Sequence, residues 1–164
     1  MIETAFQTSL SIARVTLISF VFSFSGARAG IGVYFAPAHA LNVSAPISKG
    51  ARPTNNVAEI EAAIAAIRAA KSAGIGQLVV NTDSQFMINC MSSWIHGWKR
   101  KGWVTAEGKP VKNKDDLVVL DEEMNGEGAD IVVRWNHVRG HAGIEGNERA
   151  DALAREGAQK YQAE

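Results

Sequence analysis

Gln77-Leu-Val-Val-Asn-Thr-Asp-Ser84 is the stretch that decides the fold. Its first six residues, apolar and β-branched at the centre, read as a short buried strand, and the acid that follows stands at the strand's carboxyl end. Ser84 suits the N-cap of a helix reaching to about Trp94. A strand passing directly into a helix is the repeating step of an α/β sheet, whose strand ends leave a crevice for ligands. Upstream, Asn56 with Glu59 three residues later reads as a capping box, and Ile60, Ala63, Ile64 and Ile67 recur at helical spacing until Gly74 stops the run. Gly30 to Phe35 reads as a strand packed closely at its glycines, with Leu41 to Ile47 as its weaker hairpin partner. Downstream, Asn113 with Asp115 and Asp116 opens a helix, and Asp130 to Val138 is a strand. After the glycine-rich loop Arg139 to Gly146, a last helix starts at Asn147 and turns Ala150, Leu153, Ala154 and Ala158 inward. The order predicts an α/β domain, a mixed sheet with helices packed on its faces.

The chain holds 17 Lys plus Arg against 17 Asp plus Glu, so any attraction to a polyanion must come from local clustering. Its 164 residues, 46% hydrophobic, suffice for one core. Cys90 stands alone, which excludes an internal disulfide and suits a reducing, intracellular compartment, whether nuclear, mitochondrial or cytoplasmic. The beginning differs from the rest: no acid lies between Glu3 and Glu59, and Val15 to Phe24 is almost continuously apolar or hydroxylic. Two readings stand there. Arg14 to Phe24 is a strand of β-branched and aromatic residues, or the segment is the core of a presequence with Ala27-Arg28-Ala29 at its cleavage site. It is too short to span a bilayer, and no membrane association is expected. Residues 1–29 are therefore set apart from a domain over 30–160.

Singly, the acids admit plain explanations. Asp83 suits a turn or cap, Glu59 a capping box, and Asp151 the first turn of a helix whose dipole favours it. Trp94, Trp98 and Trp103 lie among Lys99, Arg100, Lys101, Lys109, Lys112 and Lys114, with Glu107 the only acid between Trp98 and Lys114. That pattern fits a groove for a nucleic-acid backbone, or a solvated loop anchored by core tryptophans.

Taken together, Thr54-Asn-Asn-Val-Ala-Glu-Ile-Glu61, Asn81-Thr-Asp-Ser84 and Gly140-His-Ala-Gly-Ile-Glu-Gly-Asn-Glu-Arg-Ala-Asp151 occur in one order with fitting elements between them. With Ala29-Gly-Ile-Gly-Val-Tyr34, Gly97-Trp98-Lys99 and Asn147-Glu148, they make Gly30 to Gly157 resemble ribonuclease H, most closely the single-subunit kind of eukaryotes. The resemblance implies a mixed five-stranded sheet and metal-dependent endonucleolytic cleavage of the RNA strand of an RNA·DNA hybrid by a monomer. It implies two Mg²⁺ ions, with Mn²⁺ an alternative, held by Glu59, Asp83 and Asp151. Two ions about 3.5–4 Å apart serve the attacking and the leaving oxygen together. His141 corresponds to the family's mobile histidine, taken to assist proton transfer or product release. For the hybrid, the resemblance implies a DNA-strand channel of Phe86, Trp94 and Trp98 and a basic protrusion of Lys99, Arg100 and Lys101. It further implies a phosphate pocket of Arg52, Thr54 and Asn113, and minor-groove contacts from Asn55 and Asn56.

One departure stands out. The family's first aspartate should end the first, central strand, yet Ser11 to Ser25 contains no acid, and the glycine-rich loop expected after that aspartate is absent. Three explanations remain open: an alternative or misassigned start to an active enzyme, an inactive hybrid binder, or a targeting segment on a truncated domain.

Overall fold

Eleven residues dominated by β-branched and aromatic side chains form the strand β1 (Ile12–Phe22), which is hydrogen-bonded along both edges. The structure, a computed structural model, describes residues 12–22 (of 17–22 the backbone alone), 28–48, 50–139 and 145–160. On one side β1 pairs antiparallel with β2 (Arg28–Tyr34), which pairs antiparallel with β3 (Val43–Pro46). On the other it pairs parallel with β4 (Gln77–Thr82), which pairs parallel with β5 (Val132–His137). The order β3-β2-β1-β4-β5 is the mixed five-stranded sheet expected. The boundary drawn at residue 30 falls inside β2, so the atypical segment contributes the sheet's middle strand.

Alternation along the strands assigns the two faces. Val15, Ala29, Ile31, Val33, Leu78 and Val80 point into one core with α1 (Asn55–Ser72), where Ile60 and Ile67 are fully buried. The same side carries α2 (Gln85–Asn89), a π-helical turn (Cys90–Trp94), α3 (Ile95–Arg100) and α4 (Lys114–Asn125), which add Met87, Ile95, Leu117 and Leu120 to that core. The last helix, α5 (Glu145–Gln159), lies on the opposite face across β1, β2 and β3. There Gly30 and Gly32 let two backbones touch. A Cβ on Gly32 would stand 2.0 Å from the Ala150 carbonyl oxygen, and one on Gly30 2.2 Å from the Ala158 nitrogen.

Several boundaries differ from the sequence expectation. Thr54, not Asn56, caps α1: its backbone is extended and its hydroxyl accepts from the Val57 N–H at 3.3 Å. The capping-box reading of Glu59 is thereby overturned, because Thr54 already serves that end of the helix. Gly74 at φ 72° closes α1 as expected, with the Ile75 N–H returning to the Ala70 carbonyl at 3.0 Å. The helix begun at Ser84 does not run evenly to Trp94 but opens into the π turn. The last helix starts at Glu145 rather than Asn147, and Gly157 rather than Leu153 is among its buried positions.

Replacing Gly32 by Ala should drive a methyl into the Ala150 carbonyl and cost about 1–3 kcal/mol of stability. Urea unfolding would measure this, and an unchanged midpoint would show that α5 lies farther from the sheet.

Candidate nucleic-acid interface and carboxylate site

The parallel pairing of β1 with β4 stops at Thr16 and Asn81, and Asp83 follows at the open end of β4, exposed. The next residue holds two elements together. The Ser84 hydroxyl accepts from the Met87 N–H at 3.2 Å, capping α2, and donates to Glu59 Oε2 at 2.5 Å, fixing the α1 carboxylate beside Asp83. Burial pushes the Glu59 carboxyl above its ordinary range, the Ser84 hydrogen bond draws it back, and the charge of Asp83 raises it again. Cys90 lies close by, its thiol pushed up to about 12 by burial and then by Glu59, so it is an inert packing group.

Mutual repulsion between two carboxylates is what a divalent cation would relieve, and hard oxygen donors suit Mg²⁺ or Mn²⁺, so Glu59 and Asp83 fit such an ion. Asp151 stands on α5, on the other face of the sheet, where its Oδ2 lies 2.8 Å from Arg155 Nε. Among the described residues, no three His, Cys, Asp or Glu side chains stand close enough to hold one ion together. His141 lies outside the described residues. Arg139, just before it, has its carbonyl held by the buried Asn147 side chain at 3.0 Å.

Beside the carboxylates runs a ladder of rings. Phe86 meets Trp94 edge-on at 6.5 Å, Trp94 meets Trp98 at 5.8 Å, and Trp98 meets Trp103 at 6.3 Å. The π turn makes this possible. In an unbroken α-helix, residues eight apart differ by about 80° in direction; one extra residue taken up by a wider turn makes them equivalent to seven apart, about 20° off one line. Trp94 is 45% exposed, while Trp98 and Trp103 rest against the core. Trp103 adopts a left-handed backbone at φ 62°, unusual for so large a residue, and is held by its N–H on the Trp98 carbonyl at 2.7 Å.

The basic residues divide. Lys99 stays exposed but is paired, 2.6 Å from the largely buried Asp121, whose second oxygen accepts from Asn125 at 2.9 Å. Arg100 and Lys101 are exposed at the end of α3. Arg52 and Asn113 line one groove of about 610 Å³ with Lys112, Lys114, Asp115 and Asp116. Asn113, left-handed at φ 59°, makes no side-chain capping bond. The exposed Thr54 hydroxyl accepts the capping bond and keeps its O–H as a donor, and Asn55 and Asn56 form the first turn of α1, exposed and half-buried respectively. Sequence reasoning missed the bond from Ser84 to Glu59 and the partner of Lys99, since both join residues more than 20 positions apart.

A carboxylate pair at the end of a central parallel strand, flanked by an aromatic ladder and a basic groove, defines an α/β domain with the marks of a nucleic-acid enzyme. The RNase H profile matches residues 22–159. Ribonuclease H1 of Homo sapiens is 53% identical over 133 residues, covering 81% of this chain and 44% of that protein. Ribonuclease H of a Cyanothece species is 43% identical over 126 residues, covering 77% of this chain and 75% of that protein. The crystal structure of LC9-RNase H1, a type 1 RNase H, superposes with a TM-score of 0.63 at 26% identity, covering 90% of this chain and 72% of that one. The chain belongs to the RNase H family, and it spans less than half the length of the mammalian relatives it matches.

Two substitutions test the carboxylate geometry. Ser84→Ala should cost about 1 kcal/mol through the lost cap and raise the Glu59 pKa further, read by urea unfolding and by NMR titration of the carboxyl. Because the folded-state pKa of Glu59 exceeds its unfolded value, its contribution to stability is present at low pH and is lost as pH rises through the folded pKa. Without divalent metal, the parent should therefore lose stability relative to Glu59→Gln as pH rises above about 4, the range where an unfolded glutamate ionises. Parallel pH profiles would contradict the burial and repulsion assigned to Glu59.

Proposed function

We propose that this chain binds RNA·DNA hybrids and hydrolyses their RNA strand as a ribonuclease H assisted by Mg²⁺ or Mn²⁺. The observation that carries the reading is Asp83 at the mouth of β4, within electrostatic reach of Glu59 and next to the ring ladder. Phe86 and the exposed Trp94 offer apolar faces for sugars lacking a 2′-hydroxyl, with Trp98 supporting them from behind. Arg52 and Asn113 offer donors to a phosphate at the groove before α1 and α4. Arg100 and Lys101, exposed at the end of α3, add positive charge. Asn55 and Asn56, on the turn that leads to Glu59, are stationed to touch the hybrid close to the cut. Divalent ions, when bound, would neutralise charge at the attacking and leaving oxygens. Glu59 and Asp83 would hold them, Ser84 would orient Glu59, and Asp151, released from Arg155, would complete the set. His141 is assigned the proton transfer or product release that the family resemblance implies.

A second reading, a hybrid-binding domain with impaired turnover, is favoured by one observation. β1 occupies the centre of the sheet without a single carboxylate, and the profile match begins at residue 22, where β1 ends. A cleavage assay on a labelled hybrid with Mg²⁺, run beside hybrid affinity, separates the two. In an active chain, Asp83→Asn abolishes cleavage and leaves hybrid affinity within about threefold; equal loss of binding would contradict the role of Asp83. The β1–β4 register ends with Thr16 beside Asn81, and Ile18 follows Thr16 by two residues as Asp83 follows Asn81. If the parent binds without cutting and Thr16→Asp or Ile18→Asp gains metal-dependent cleavage, the second reading holds; efficient cutting by the parent rules it out.

A further inference from the structure

The helix α5 covers only part of its side of the sheet. It crosses β1, β2 and β3, while β5 leaves Val132, Arg134 and Asn136 exposed on that face. The strand register lines these up in rows. Ile12, Gln77 and Val132 form one row across β1, β4 and β5; Arg14, Val79 and Arg134 form the next; Thr16, Asn81 and Asn136 the third. Ile12 is 64% exposed and Val132 54%, both greater than the exposed Trp94, and they stand in the same row. Arg14 and Arg134 are both exposed, and neither meets a carboxylate or other partner among the described residues. The nearest acids along these strands, Asp83 and Asp130, lie beyond the strand ends. Asn136 and Asn81 satisfy each other at 2.8 Å.

We propose that this half of the sheet, which no described element covers, is a docking face for an acidic amphipathic helix of a protein partner. The geometry argues for a helix. An α-helix is about 10 Å across, roughly two strand spacings, which is the width α5 leaves open, and layered α/β folds close such faces with helices. The charges argue for an acidic one. A helix running along β4 would set its apolar stripe over Val79, with Ile12 and Val132 beside it, and its flanking positions over Arg14 and Arg134, about 10 Å apart. Carboxylates on both flanks of that stripe would pair with the two guanidinium groups, as flanking charges do in coiled coils. A phosphate backbone would meet the arginines but gain nothing from Ile12 and Val132. Moreover, the sheet separates this face from the ring ladder, since Ala13, Val133 and Trp135 pack on the opposite side with Trp98. The partner and a nucleic acid on the ladder can therefore be held at once.

The test uses the full chain and a fluorescent peptide with Leu at the two stripe positions of each heptad and Glu at the two flanking ones, beside a scrambled control. The parent should bind the Glu peptide in a salt-sensitive manner and the scrambled peptide much less. Arg14→Glu with Arg134→Glu should weaken binding on the order of tenfold or more and favour a peptide with Lys in place of Glu. Arg134→Glu alone, on the edge strand and away from β1, should show a smaller loss in the same direction. Hybrid affinity should stay within about twofold throughout. No binding of the Glu peptide by the parent, or affinity unmoved by charge reversal, overturns the proposal. So does displacement of the peptide by single-stranded DNA whose binding the same arginine variants abolish. A concentration-dependent dimer of the parent, absent in the double variant, would assign the face to a second copy and overturn it equally.

Discussion

The hydrogen bonds on both edges of β1 are the constraint on which the architecture rests. Without that strand, β2–β3 and β4–β5 would be two separate two-stranded ribbons, each with an unpaired inner edge, and isolated ribbons are marginal in water. With it, the antiparallel half supplies the glycine floor for α5 and the parallel half carries Asp83 to its mouth. Backbone bonding asks little of side chains. Ile12–Phe22 can therefore hold the middle of the sheet although its only ionisable residue is Arg14. Supporting the fold and furnishing a carboxylate are separate demands, and this strand meets the first alone.

Around Glu59 the protein holds an arrangement it would shed if stability were all that mattered. A half-buried carboxylate faces another and is steadied by one hydroxyl that is also committed to a helix cap. Such tension is typical of sites arranged around charge. Its location, where α1, β4 and α2 converge, is the position that α/β sheets reserve for ligands.

Much of this was legible from periodicity. The helix from Asn55 to Ser72 announced itself by its aliphatic spacing and by Gly74, and the strand before Asp83 by six residues of the right type. Motif order then identified the family, because several short matches at consistent separation outweigh each plain reading of a single acid. What escaped was of another kind. The choice of Thr54 over Asn56 as a cap depends on which backbone is extended, and both residue types suit the position. The π turn has no composition of its own. The pairing of the exposed Lys99 with Asp121 could not be read because the two stand 22 residues apart on different helices. A charge cluster read along a chain says nothing of the partners that folding brings to it from elsewhere.

The π turn at Cys90–Trp94 also bears on how this segment is compared with others. It acts as a phase shifter between two short helices: everything after it is rotated by about one residue, some 100°, relative to an unbroken helix. A helical wheel drawn from Ser84 to Arg100 would scatter the rings that space gathers. Losing one residue there would return the turn to ordinary α-helix with the rings still in line, whereas straightening it without a loss would swing Trp94 and Trp98 away from Phe86. In this part of the molecule the count of residues between aromatic rings carries as much information as the rings themselves.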